Sequence, residues 1–225
     1  HVVTADQRGN GNSSLRPSRK INFGYKEQVE IEYPAILEAV KKRFPLSKIF
    51  IMGHSLGGQM GGMFAATRYD ISGLILNASC SVYYKGWKGA SAAGVLIGSQ
   101  FSRVVSMLMG YFPGNRLGFG GKESRGVISD WAYTAYSGNF KAKGSDIDYN
   151  AAMKSCNVPV LALSYEGDTA APYQSVKNLL EKFSSSATLQ HHFNPESGGR
   201  KYDHYSWVRD PDLCIPVIQR WINSI

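Results

Sequence analysis

The chain is short of cysteine. Cys80, Cys156 and Cys214 are an odd number at wide spacing, without a C-x-x-C pair or a histidine-rich partner segment. This argues against a disulfide framework and a zinc site, and it fits a reducing compartment, so a cytoplasmic location is expected. Cys80 has no histidine or asparagine pattern around it and reads as a buried thiol rather than a nucleophile. No uninterrupted apolar run reaches bilayer length, so no membrane span is expected. The net charge of +8 lacks a stripe: Lys41, Lys42, Arg43, Lys85, Lys88, Arg103, Arg116, Lys122, Arg125, Lys141 and Lys143 are scattered. That reads as a solvated surface and gives no nucleic-acid partner, with a bias toward anionic substrates or surfaces as the minority reading. A dinucleotide fingerprint is incomplete, because Gly9 and Gly11 are followed by Ser14 where the third glycine belongs; no Rossmann cofactor is expected.

What is present is enough for one sizeable core: 225 residues, 43% of them hydrophobic. The stretch KIFIMGHSLGGQMGG, residues 48–62, organises the rest. Ile49 to Met52 is an apolar run of the length of a strand buried on both faces, and Gly53, Ser55 and Gly57 follow as G-x-S-x-G. In such an elbow a strand reverses into a helix with a strained serine at its apex, and glycine is expected at both flanks because the backbones pass too close for a β-carbon. The helix carrying Met60, Met63, Phe64 and Ala65 would aim its first amides at a developing oxyanion. His54, packed beside the turn, is expected to be structural or to touch substrate rather than to act as the base.

Around this stretch the chain alternates. Val2 and Val3 read as a strand ending in a polar loop, Val29 to Phe44 as a helix with Pro34 near its start or at a kink, and residues 71–77 as a buried strand. Residues 158–163 read as another buried strand with the loop YEGDTAAP at its carboxyl end. A helix from Ser175 to Phe183, a strand from Thr188 to Phe193, a polar loop from Asn194 to Ser206 and a last helix from Val217 complete the series. Such alternation predicts an α/β class with a mostly parallel sheet and helices on both faces. Residues 80–156 break the rhythm. They are rich in aromatics, among them Tyr84, Trp87, Phe119 and Trp131, with helical pieces near Val95–Met109 and Val127–Tyr136. The segment reads as a helical insertion walling an apolar pocket, so that 1–79 and 157–225 form the core. His54, Tyr84, Trp87 and Trp131 are the expected substrate-side residues.

A serine hydroxyl needs a base, and that base needs an orienting acid. Of five histidines, His1 is terminal, His54 belongs to the elbow, His191 and His192 fall inside a strand, and His204 lies in a loop past a strand end. His204 is therefore the candidate base. Asp168 is the candidate acid, with Glu166 the runner-up. The order Ser55, Asp168, His204 favours Asp168 over an ordinary turn aspartate. Asp203, adjoining His204 on an extended loop, points away from it.

These segments resemble the α/β-hydrolase superfamily, most closely a branch related to serine aminopeptidases and monoacylglycerol-lipase-like enzymes. The likeness runs through ADQRGNGNSS, KRFPLSKIFIMGHSLGGQ, PGNRLGFGG, RGVISDWAYTAYSG, YEGDTAAP and DHYSWVR, almost the whole chain. It implies Ser55 as nucleophile, Asp168 as acid, His204 as base and the Leu56 amide as one oxyanion donor. Asp203 departs from the glycine more often found before that histidine. The resemblance also implies that three N-terminal strands, and the loop giving a second oxyanion N–H, are absent from this sequence. The expected activity is hydrolysis of small to medium, mainly apolar carboxylic esters through an acyl-enzyme, without metal or organic cofactor. The alternatives are an aminopeptidase-like amide hydrolase and a non-catalytic ligand-binding protein of the same fold. A small-molecule ester is the expected partner, and a homodimer is left open.

Overall fold

A computed structural model describes residues 1–118, 120–194 and 202–225. In chain order a π-helical stretch Glu27–Glu32 runs into α1 (Tyr33–Arg43), followed by β1 (Phe50–His54), α2 (Leu56–Ala65), β2 (Gly73–Asn77), α3 (Gly89–Met109) and β3 (Tyr111–Pro113). Next come α4 (Gly114–Leu117), β4 (Lys122–Ser124), α5 (Arg125–Ser137), α6 (Tyr149–Ser155), β5 (Val160–Tyr165), α7 (Tyr173–Leu180), β6 (Thr188–Phe193), α8 (Ser206–Arg209) and α9 (Cys214–Asn223). Phe119 and the 195–201 part of the loop expected before His204 lie outside the described residues. Val2 and Val3 form no strand. They are 93% and 51% exposed, and no strand pairs with them among the described residues.

The chain divides into two compact units, residues 1–47 with 89–147, and residues 48–88 with 148–225. The expected boundaries at 79/80 and 156/157 differ from this mainly in the place of residues 1–47. The second unit carries a four-stranded parallel sheet in the order β1-β2-β5-β6. Consecutive residues of β2 serve opposite layers, as the period of two requires. Leu74 lies against Gly61 and Gly62 of α2, whereas Ile75 joins Leu161, Leu163, Tyr165, Phe193, Val217 and Trp221 beneath α9. β2 and β5 are buried throughout. β1 is not buried on both faces as expected: Phe50 and Ile51 are half-buried and Met52 is 45% exposed. As an outermost strand of the described sheet, it has a paired neighbour on one side only.

In the first unit the segment before α1 is tied to the insertion by polar contacts. The Phe23 amide donates to Ser124 Oγ at 2.9 Å, Ser124 Oγ donates to the Phe23 carbonyl at 2.6 Å, and the Gly126 amide donates to Asn22 Oδ1 at 2.8 Å. Asp130 of α5, buried, accepts from the Tyr25 amide at 3.0 Å and the Lys143 amide at 3.3 Å. Desolvation pushes its carboxyl up to about 6 against those stabilising amides. In the native state Asp130 therefore holds a proton at pH values where the unfolded chain has lost it. Its contribution is full below about pH 4 and lost as pH rises through about 6. On this group alone, stability falls by on the order of 2 kcal/mol over that interval. Urea melts at pH 4, 5, 6 and 7 check this: Asp130→Asn is expected to flatten the slope between pH 4 and 6.

α3 departs from expectation. It is 21 residues long, and its most apolar window has a mean hydropathy of 1.3, long and apolar enough to cross a membrane by length and composition, although Gly, Ser, Gln100 and Arg103 interrupt the apolar run in sequence.

Candidate active site

Ser55 directly follows β1, Asp168 lies in the turn after β5, and His204 lies in the loop after β6, all in the second unit. β1 ends at His54, and Ser55 follows at φ 52° and ψ −122°. A serine adopts this left-handed geometry only when its surroundings impose it. Here the Ser55 amide donates to the Asn77 carbonyl at 3.1 Å, and the Ser55 carbonyl accepts from Ser79 Oγ at 2.7 Å. Asn77 is in turn fixed by the Tyr165 hydroxyl, which donates to Asn77 Oδ1 at 2.7 Å. Gln59 Nε2 donates to the Cys80 carbonyl at 3.0 Å. Ala78 also has a positive φ, 45°, so the ends of two adjacent strands carry the strain together. Sequence reading missed this brace of Asn77, Ser79, Gln59 and Tyr165. Its only signal was polar residues directly after a buried apolar strand.

The glycines act differently from expectation. A β-carbon on Gly53 would lie 2.4 Å from the backbone of Gly57 and Gly58, and one on Gly58 would lie 2.4 Å from Ser79 Oγ. A β-carbon on Gly57 would meet nothing within 4 Å. The close approach is made by Gly53 and Gly58, and Gly57 is not sterically required.

Asp168, 3% exposed, sits in the turn after β5. Its Oδ1 accepts from the Ala170 and Ala171 amides at 2.9 and 2.8 Å, and its Oδ2 lies 2.8 Å from His204 Nδ1. The carboxylate is thus locked in rotation, and the imidazole is held with Nδ1 protonated and Nε2 free to accept a proton. Trp87 Nε1 donates to the Thr169 carbonyl at 3.1 Å, bracing this loop rather than standing apart from it. Tyr84, half-buried, packs edge-on to Tyr83, ring centroids 5.1 Å apart. Trp131 stands on α5 of the first unit.

His54 works on His204. Its Nε2 lies 2.9 Å from the His204 carbonyl, and the two rings are 4.6 Å apart, with Tyr205 and Trp207 also against His54. Burial, the largest cause, lowers the affinity of His54 for a proton, so it is neutral near pH 7 and donates through Nε2–H. This places His204 beside the elbow. Among the described residues no hydrogen bond joins Ser55 Oγ to His204: the acid–base pair is made and the serine–base link is open.

The competing residues are engaged elsewhere. Glu166 Oε2 lies 3.0 Å from His192 Nε2, and His192 Nδ1 lies 2.9 Å from Ser164 Oγ. Asp203 Oδ1 accepts from the Tyr205 and Ser206 amides at 2.9 and 2.7 Å, turned to its own loop as expected. All three cysteines are free and buried, and burial pushes the Cys80 thiol up to about 12, which makes it a poor nucleophile. Among the described residues no cluster of three or more His, Cys, Asp or Glu could hold a metal. Leu56 opens α2 directly after Ser55, and the Gly58 and Gln59 amides donate to the Ser55 carbonyl at 3.1 and 3.4 Å, so the positive end of the helix lies beside Ser55. Together these groups form a basic imidazole, a strained hydroxyl and a positive helix end within one rim of a sheet.

The model of the family described as alpha/beta hydrolase fold matches residues 1–91. The lysophosphatidylserine lipase ABHD12 of Danio rerio is 27% identical over 225 residues, covering 95% of this chain and 48% of that protein. The chain thus spans about half the length of the curated relative it matches. Among solved structures, a protein from Agrobacterium vitis S4 is similar with a TM-score of 0.56 and 19% identity, covering 96% of this chain and 74% of the other. An esterase, EaEST, from Exiguobacterium antarcticum has a TM-score of 0.54 and 13% identity over 96% of this chain and 79% of its own. With its parallel sheet, its strained serine elbow and these likenesses, the chain has the α/β-hydrolase fold.

Proposed function

We propose that the chain is the catalytic part of a serine hydrolase that cleaves small to medium, mainly apolar carboxylic esters. Ser55 Oγ attacks the carbonyl carbon while His204 Nε2 takes its proton, and the carbonyl oxygen becomes an oxyanion received by the Leu56 amide. Collapse breaks the bond to the leaving alkoxide, which receives the proton from His204 and leaves an acyl group on Ser55. Water activated by the same imidazole releases the acid. Asp168 orients the ring and stabilises the imidazolium through Nδ1–H. The lipase and esterase among the similar proteins support the ester class.

The observation that carries this reading is the Asp168–His204 pair at 2.8 Å, held beside Ser55 through the His54 contact to the His204 carbonyl. Active-site hydrogen bonds commonly tighten only when substrate binds, so an open serine–base link in the unliganded chain is compatible with this reading. The test is a fluorophosphonate probe on the native chain, followed by peptide mapping. Adduct on Ser55, lost in Ser55→Ala together with p-nitrophenyl ester turnover, is the expected result. Labelling that survives Ser55→Ala moves the nucleophile elsewhere, and ligand binding without any labelling favours a non-catalytic protein.

His54 provides a separate prediction, because it fixes the His204 backbone without touching the reacting atoms. His54→Phe is expected to lower kcat by about tenfold to a hundredfold through misplacement of the base, whereas His54→Gln, which keeps a donor, retains most of it. Steady-state kinetics of the two variants check this, and equal losses would mean that the hydrogen bond is immaterial.

A further inference from the structure

The fold does not use the apolar side of α3. Its buried residues are Ser99, Ser102 and Ser106, each hydroxyl donating to its own helix: Ser99 to the Leu96 carbonyl at 2.9 Å, Ser102 to Gly98 at 2.9 Å and Ser106 to Arg103 at 2.8 Å. These small residues let α3 lie close to α5, where Gln100 Nε2 donates to the Ala132 carbonyl at 2.9 Å. The large apolar residues point the other way. Ile97, Phe101, Val104 and Leu108 are 68%, 59%, 54% and 76% exposed, and their spacing of four, three and four residues makes one stripe down the helix. A helix ordinarily buries such a stripe; here it is inverted.

Charge identifies what the stripe suits. From residue 71 to residue 122 the chain has no Asp or Glu, and within that span stand Lys85, Lys88, Arg103, Arg116 and Lys122. The unit that contains α3 holds 14 of the 25 basic and 8 of the 17 acidic residues, which gives it +6 of the net +8. Arg103 is exposed on α3 itself, Arg116 and Lys122 are exposed just after it, and the exposed Arg19 donates to the Met109 carbonyl at 3.2 Å, at the helix end. An exposed apolar stripe on a cationic unit, with no acidic residue between residues 71 and 122, matches the headgroup boundary of an anionic bilayer.

We propose that α3 docks in the plane of an anionic lipid surface, with Ile97, Phe101, Val104 and Leu108 inserted among acyl chains and the neighbouring cations on the headgroups. Its length of about 31 Å would span a hydrocarbon core. Spanning is disfavoured because Arg103 and the serine face packed on α5 would then have to enter the hydrocarbon. The docking is independent of the esterase reading, since it needs no catalysis.

Co-sedimentation of the native chain with vesicles tests it. The chain is expected to pellet with vesicles of phosphatidylcholine and phosphatidylserine and to remain soluble with phosphatidylcholine alone, and binding should fall as salt is raised. Phe101→Ser combined with Leu108→Ser should weaken pelleting by about tenfold or more without altering the thermal melt, because both side chains are exposed. Arg103→Gln with Arg116→Gln should weaken it and flatten the salt dependence. No pelleting with either vesicle, or pelleting unchanged in the Phe101/Leu108 variant, overturns the proposal. A dimer in sedimentation velocity that this variant converts to a monomer, with no vesicle binding, assigns the stripe to a second copy and overturns it as well.

Discussion

Asp168→Asn is expected to lower ester turnover by about 10⁴-fold while leaving the fold intact. The reason lies in the carboxylate's two oxygens. Oδ1 accepts from the Ala170 and Ala171 amides, and Oδ2 meets His204 Nδ1 at 2.8 Å. An asparagine keeps its oxygen on the two amides, because only the oxygen can accept them. Its NH₂ group then faces His204 and forces Nδ1 to become the acceptor. The ring proton moves to Nε2, where it prevents uptake of the serine proton. Since the side chain keeps its shape and its amide contacts, the melting temperature should change little. The measurement is kcat for a p-nitrophenyl ester together with a thermal melt. A loss below about tenfold would show that His204 takes its proton without help from Asp168, and the acid would have to be sought again.

The same pair shows how far a sequence carries. The Asp168–His204 contact and the strained turn at Ser55 were legible because this chemistry imposes residue types, and parallel strands deliver their loops to one rim. Chain order could not separate Asp168 from Glu166, since both lie between Ser55 and His204, but the structure does: Asp168 meets His204, and Glu166 is held by His192 across the β5–β6 ladder. β2 and β5 were readable from apolar runs bounded by turn residues, since burial on both faces leaves a continuous signal. β1 carried the same signal without the same burial. Its apolar residues Phe50, Ile51 and Met52 read as a central strand, but as an outermost strand it leaves Met52 exposed.

What escaped sequence reading was whatever depends on distant pairing. The brace of Ser55 by Asn77, Ser79 and Tyr165 has no local pattern, because each partner is ordinary in its own segment. Residues 22–25 share the unit of residues 89–147 through hydrogen bonds spanning about a hundred positions, which no periodicity announces. α3 escaped for a different reason. A helical period in hydrophobicity reports that one face differs from the other, and by itself it cannot say which face the fold buries.

The elbow glycines give the sharpest contrast between pattern and steric fact. Gly53→Ala is expected to destabilise the chain by about 3 kcal/mol, a drop of roughly 6–12 °C in Tm, and to reduce turnover at least about a hundredfold. Its methyl would lie 2.4 Å from the Gly57 carbonyl group and the Gly58 nitrogen, and these are backbone atoms that cannot rotate away. Strand β1 and helix α2 would have to part, which shifts the Ser55 hydroxyl from His204 and turns the Leu56 amide from the oxyanion. Gly57→Ala changes the other glycine of the same G-x-S-x-G and is expected to leave Tm equal or slightly raised, because its β-carbon meets nothing and alanine is the better helix residue by up to about 1 kcal/mol. Gly58→Ala, outside the pattern, should resemble Gly53→Ala, since its methyl would fall 2.4 Å from Ser79 Oγ and 2.9 Å from the Gly53 carbonyl oxygen. Thermal melts of the three variants, read beside fluorophosphonate labelling, separate the accounts. A Gly57→Ala chain as unstable as Gly53→Ala would return the requirement to the spacing of the pattern and refute the close approach of Gly53 and Gly58 as the feature that holds Ser55 in place.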